Sequence, residues 1–184
     1  RYYVCNAYGV CGIYSAPGTA VKEAYDTSGI VTNDRGVTVW LKGNRVSRNQ
    51  IMAIKEESVT EQKNSLAVCL DNILRHAGIT RNTEYDLAQG KTATTILSEN
   101  MTGVQVLDLS GCTLDAVLYY VNQDIPVLAI LEDGEAVLVT GFNEFNVVIM
   151  EPATGKLYKK GMNDATAWFA ENGNHFITYM RIEN

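Results

Sequence analysis

A chain of 184 residues, 46% hydrophobic and 20% charged, is long enough to bury a substantial core, as one domain or as a small domain beside a medium one. Its net charge is -6, and no run of Lys and Arg goes beyond Lys159-Lys160, which argues against a nucleic-acid partner, since phosphate backbones are held by clustered cations. No apolar stretch reaches the ~18 residues that a membrane-spanning helix needs, so no membrane insertion is expected. The first residue is Arg1 rather than Met, which reads as a processed form or an artificially shortened chain.

Residues 1 to about 52 read as a compact βαββ unit. RYYVCNAYGV is a strand rich in aromatic and β-branched residues. GTAVKEAYDTS places Ala20, Val21, Ala24 and Tyr25 on one helical face, and Gly29 follows where a left-handed cap is wanted. GIVTNDRGVTVWL is a hairpin that turns at Asn33-Asp34-Arg35-Gly36. Trp40 and the tyrosines of the first strand suit an interdomain contact or a binding patch, but burial in the unit's own core is their expected use. The polar run from Lys42 to Gln50 leads out, which gives a small α+β module over residues 1–52 and a second domain over 53–184.

The second domain opens on a strong helix, SLAVCLDNILRHAG. Leu66, Cys69, Leu70, Ile73 and Leu74 form its apolar stripe, and Gly78 ends it. A further helix is expected around Thr92 to Met101, then a strand in GVQVLDL and a helix capped by Thr113, TLDAVLYYVNQ. IPVLAILE, EAVLVTGF, NVVIMEP and GKLYKKG follow as four strands. Asn163 is read as the cap of DATAWFAENG, and HFITYMRI closes the chain as a strand. Helices first, then a largely antiparallel sheet with one late helix, is an α+β layout.

Metal and cofactor chemistry find little support. The four cysteines, Cys5, Cys11, Cys69 and Cys112, match no zinc spacing, and His76 and His175 lie far apart, so neither metal nor cofactor is expected. Cys5 and Cys11 are spaced to close a small loop in an oxidising compartment or to remain two free thiols, and both readings stay open. Gly90-Lys91-Thr92 ends like a phosphate-binding loop, but its upstream glycine is replaced by Tyr85. Asp108, Asp115, Asp124, Glu132 and Asp133 are too scattered for a calcium loop and read as solvated charges.

Four pieces carry a resemblance. They are the Cys-Leu-x-x-Ile-Leu helix with its following glycine (Cys69 to Gly78), LDAVLYYVNQDIPVLAIL, the strand ending VLVTGF, and the turn EPATGKLY. In this order, over roughly residues 56 to 182, they resemble the papain-like superfamily, and within it the bacterial branch of double-glycine leader peptidases. The resemblance implies a helix-plus-antiparallel-sheet domain. It also implies a Cys nucleophile at the start of the first helix, where the dipole favours a thiolate. A His before the V-x-V-T-G word would deprotonate it, an Asp or Asn in the D-P-x-x-G turn would orient that His, and a Gln upstream would stabilise an oxyanion.

Carried over by position, the nucleophile falls on Ser65, the base on Glu135 and the orienting group on Glu151. The Gln is due near Val59, and the nearest glutamine is Gln62. Only a carboxylate survives in kind, one methylene longer. Cys69, seven residues after Gln62, is the alternative nucleophile, but its place on the apolar stripe reads as core. His76 is two turns (~10 Å) further along, too far to serve Cys69, and suits the helix C-terminus. His175 is a displaced-base alternative on the last strand, read otherwise as a surface histidine. Ser65 with two carboxylates would need a raised carboxylate pKa and acidic conditions. Ser58-Val59-Thr60-Glu61 has the capping-box form, and its use would leave Ser65 inside the helix.

The expected function is therefore a cysteine-peptidase-like domain that has lost catalysis and binds a peptide or protein, or serves as a structural module, in a secreted or surface protein. Two alternatives stay open: an active cysteine or serine peptidase with a rearranged site, and a spacer whose likeness is only architectural.

Overall fold

In the computed structural model, residues 1–9, 11–42, 50–51 and 64–182 are described. The tyrosine-rich opening that reads as one strand is two. β1 (Tyr2–Cys5) reverses through Asn6 and Gly9 into β2 (Cys11–Tyr14). Gly9 adopts φ 76°, and the Asn6 side chain accepts from the Tyr8 amide, local turn chemistry that a reading weighted toward β-branched content overlooks. Cys5 and Cys11 face each other across the pair and form a disulfide, which answers the question their spacing left open.

Helix α1 (Pro17–Thr27) starts on a proline and buries Ala20, Val21 and Ala24. Its left-handed cap is Ser28 (φ 56°) rather than Gly29. Gly29 serves a different constraint, since a Cβ there would stand 3.0 Å from the Cys5 carbonyl oxygen. β3 (Ile30–Asn33) and β4 (Thr38–Leu41) form the expected hairpin, with Asn33 Oδ1 accepting from the Arg35 and Val37 amides and Gly36 at φ 73°. The four strands make an antiparallel sheet in the order β2-β1-β3-β4. The unit is thus ββαββ, one strand more than its sequence suggests.

A two-residue strand, β5 (Gln50–Ile51), lies where the sequence reads as a polar exit. It pairs with Phe142 and Gly141. The box at Ser58 to Glu61 lies outside the described residues. Helix α2 (Ser65–His76) starts with Asn64 as its cap, whose side chain accepts from the Leu66 and Ala67 amides, so Ser65 is the first helical residue rather than an interior one. Gly78, at φ 85°, ends the helix as expected. Next come α3 (Glu84–Ala88), which no apolar period announces, and α4 (Ala93–Asn100), capped by Thr92. After β6 (Val104–Asp108), α5 (Leu114–Val121) is capped by Thr113.

The remaining elements are β7 (Val127–Ile130), β8 (Ala136–Phe142), β9 (Asn146–Met150), β10 (Leu157–Gly161), α6 (Met162–Glu171) and β11 (His175–Arg181). α6 begins at Met162 with Gly161 at the cap position, so Asn163 lies inside its first turn instead of capping it. The Met162 amide is already held by the Phe145 carbonyl at 2.7 Å, and the helix starts two residues early. The large sheet runs β10-β9-β8-β7-β11-β6 and is antiparallel throughout, with β5 continuing along β8 where β7 leaves off. Every residue of β8 is buried, as a central strand covered on both faces requires. α2 packs with α4 and reaches β7 and β8; α5 packs with α6 and reaches β7, β8 and β11.

The two sheets share no strand, yet one apolar core runs through both. Trp40 is buried, but against the second unit rather than only within its own. Its Nε1–H donates to the Ala116 carbonyl at 3.0 Å, and its ring packs on Tyr119 as well as Tyr25. Tyr120 returns the contact by donating to the Val39 carbonyl at 2.9 Å. Around them, Tyr25 donates to Asp115, and Gln105 bridges Asn33 and Tyr2. No described helix is long and apolar enough to cross a membrane.

Candidate functional site

Ser65 stands half-buried at the start of α2, because the apolar stripe fixes which side of that helix faces the sheet. With Ala67, Val68, Cys69 and Leu70 buried, the first turn is laid against the beginning of β8. There Ser65 Oγ accepts a hydrogen bond from the Ala136 amide at 2.9 Å, across 71 positions of sequence. Ala136 directly follows Glu135, so the helix start and the Glu135 position are neighbours. Glu135 itself ends a tight turn: Leu131 donates to its carbonyl at 2.7 Å, and its own amide donates to Asp133 at 2.9 Å.

Glu151 follows Met150, which pairs with Leu138, so it lies at the same end of the β8–β9 pair as Glu135. It is exposed and opens a turn in which Gly155 donates to its carbonyl and its amide donates to Lys156. The structure thus brings Ser65 to the strand start beside Glu135 and places Glu151 at the same sheet end. Neither carboxylate hydrogen-bonds Ser65, and among the described residues no group accepts the serine's hydroxyl proton. A hydroxyl with no base in reach is a poor nucleophile.

The alternatives lie elsewhere. Cys69 is one turn into α2 and fully buried, and burial pushes its thiol far above the ordinary range. Cys112 is buried too, its thiol pushed up to about 12, first by desolvation. His175 pairs with Ile130, and Ile130 with Ala136, so it stands two strands, roughly 10 Å, from the start of β8. Its imidazole faces Asp108 at 3.8 Å, and Asp108 accepts from the Ser110 hydroxyl at 2.6 Å. In that trio the carboxylate lies in the middle, so histidine does not meet serine and cannot deprotonate it. His76 meets the Asp124 carbonyl at 3.0 Å beyond the last turn of α2. Gln62 lies outside the described residues. Among the described residues no three His, Cys, Asp or Glu side chains cluster as a metal ion would need.

The Ser65–Ala136 bond is the feature sequence reasoning missed. The register of the α2 stripe fixes the helix face, but a contact over 71 residues has no local sign.

A helix start set against the first residues of a central antiparallel strand, with a turn at the end of the next strand, is the layout of a papain-like, C39-like peptidase fold, and the chain has that fold. The crystal structure of a candidate C39-like peptidase from Bacillus anthracis superimposes with a TM-score of 0.59, at 12% identity, over 73% of this chain and 98% of that one. No family profile matches the sequence, and no curated protein does. At this identity the likeness is one of fold alone.

Proposed function

We propose that this protein is a peptidase-fold domain, led by a small α+β module, in which thiol catalysis has been lost and the site end of the sheet binds a peptide or protein, as part of a secreted or surface protein. The observation that carries the reading is the state of Ser65. It occupies the helix-start position of the resemblance's nucleophile, but its hydroxyl is tied to the Ala136 amide and meets no base among the described residues. Both free thiols are buried, and both histidines lie away from it. The disulfide in β1–β2 agrees with an oxidising, extracellular setting.

The test runs in both directions. The unaltered chain is incubated with fluorogenic peptides and with a thiol-directed peptidase probe, and no turnover and no single-site labelling are expected. Labelling of one cysteine that a competing peptide blocks would overturn the proposal. Ser65→Cys with Glu135→His places a thiol and an imidazole where the resemblance wants them, and measurable hydrolysis by that double variant is the supporting result. Retention of peptides by the unaltered chain on an array separates a binding module from a spacer.

A further inference from the structure

The two ends of α2 open on different surroundings. Ser65 stands at one end; roughly 16 Å along the axis, the other borders a cavity of about 570 Å³, in the size range of small-ligand sites. His76 and Ile79 line it from the end of α2, Met101 from the end of α4, Val104 from β6, and Tyr179 and Arg181 from β11. The register explains this wall: Arg181 pairs with Val104 and Tyr179 with Val106, so alternate residues of both strands face the same side.

Among the described residues, two polar groups here have no protein partner. Tyr179 is only 2% exposed, yet among the described residues its hydroxyl makes no hydrogen bond. Its oxygen is not sealed off by the protein, and a hydroxyl open to the cavity can pair with what enters there. Burial pushes its ionisation up, against the pull of nearby Arg181, so it stays a donor at neutral pH. The Arg181 guanidinium likewise has no ion pair among the described residues.

The competing charges are few. The α2 carbonyls of Ile73, Leu74 and Arg75 are already taken by the amides of Ala77, Gly78 and Ile79. The Asp124 carboxylate, 63% exposed, stands 3.6 Å from His76 Nε2. Met101, Ile79 and Val104 supply an apolar floor.

We propose that this cavity binds an organic carboxylate with a small apolar substituent, the carboxylate on Arg181 and the Tyr179 hydroxyl and the substituent against Met101, Ile79 and Val104. A free short-chain acid and the C-terminal residue of a peptide share that chemistry. The site lies at the far end of α2 from Ser65 and does not depend on the peptidase reading.

The test titrates the ¹⁵N-labelled full chain with isovalerate, with the tripeptide Gly-Ala-Leu, and with that tripeptide's C-terminal amide. Saturable shifts at Ala77, Thr102, Gly103 and Arg181 are expected with at least one free carboxylate and not with the amide. Binding of the tripeptide alone assigns a peptide C-terminus, and binding of isovalerate assigns a small acid. Arg181→Gln is expected to weaken binding about tenfold or more, and Tyr179→Phe about threefold. Both leave the apolar packing in place, and the amide spectrum of each verifies its fold. Equal binding of the amide, shifts elsewhere, no saturable shift, or unchanged affinity in Arg181→Gln overturns the proposal.

Discussion

A thiol attacks only as a thiolate, and an apolar surrounding withholds the proton's departure. Cys69 and Cys112 are both in that position, while Cys5 and Cys11 are spent on each other. Native protein at pH 8, without reductant, is therefore expected to consume almost no thiol reagent over minutes, and denatured protein two equivalents. A fast-reacting native cysteine would return Cys69 to candidacy as a nucleophile. Asp86 illustrates the opposite shift. The Arg81 guanidinium reaches it through two bonds of 2.9 and 3.0 Å and holds its carboxyl below the usual range. A lowered folded-state pKa means that this stabilisation is present above the unfolded carboxylate value of ~4 and is lost as pH falls through the folded value. The melting-temperature gap between the unaltered chain and Asp86→Asn should accordingly be largest near neutrality and shrink below about pH 4. A gap that stays constant down to pH 2.5 would show that the pair adds nothing. At this scale the candidate site was half legible. The resemblance of the α2 sequence to the family's helix placed Ser65 by position, and the Asn64 cap sets it as the first helical residue. The serine's partner Ala136 could not be placed from sequence, because nothing near either residue encodes the approach.

Elements with strong local chemistry were readable, and those made by tertiary pairing were not. Thr113 caps α5 as its sequence suggests, and Asn33 with Gly36 builds the β3–β4 turn. By contrast, α3 is one short turn of helix held by Asp71, which accepts from both the amide and the hydroxyl of Thr83. β5 exists only because β8 offers unpaired backbone beyond the reach of β7. The docking of α1 depends on a glycine for a reason its helix does not reveal. A Cβ on Gly18 would stand 2.7 Å from the Ser110 carbonyl oxygen and 3.3 Å from that of Asp108, both backbone atoms that cannot step aside. In an isolated helix Gly→Ala stabilises; here Gly18→Ala is expected to destabilise by about 1–3 kcal/mol through overpacking. Chemical denaturation decides between them: a variant as stable as the original would mean that α1 does not sit this close to the loop after β6.

For the whole molecule the question is whether the small sheet and the large one unfold together. Their contact has an apolar centre. Trp40, Tyr120, Val39 and Ala116 are buried in it, and each aromatic polar group is satisfied by a backbone carbonyl of the opposite unit. Separating the units would expose those rings and strand both carbonyls, so opening the interface alone should cost much of the total stability. Unfolding is therefore expected to be a single transition. The two tryptophans make this measurable, because Trp168 lies on α6 and Trp40 in the interface. In a Trp168→Phe background, Trp40 emission reports the interface while far-ultraviolet circular dichroism reports all helices and strands. Their midpoints should agree to within about a degree, as a two-state transition demands. Tyr120→Phe leaves the Val39 carbonyl without its donor, at a cost of about 1 kcal/mol. In a domain of this size that lowers both midpoints together by about 2–4 °C. Trp40 emission changing well before the circular dichroism would instead mean that residues 1–52 undock as a separate domain from an intact peptidase fold.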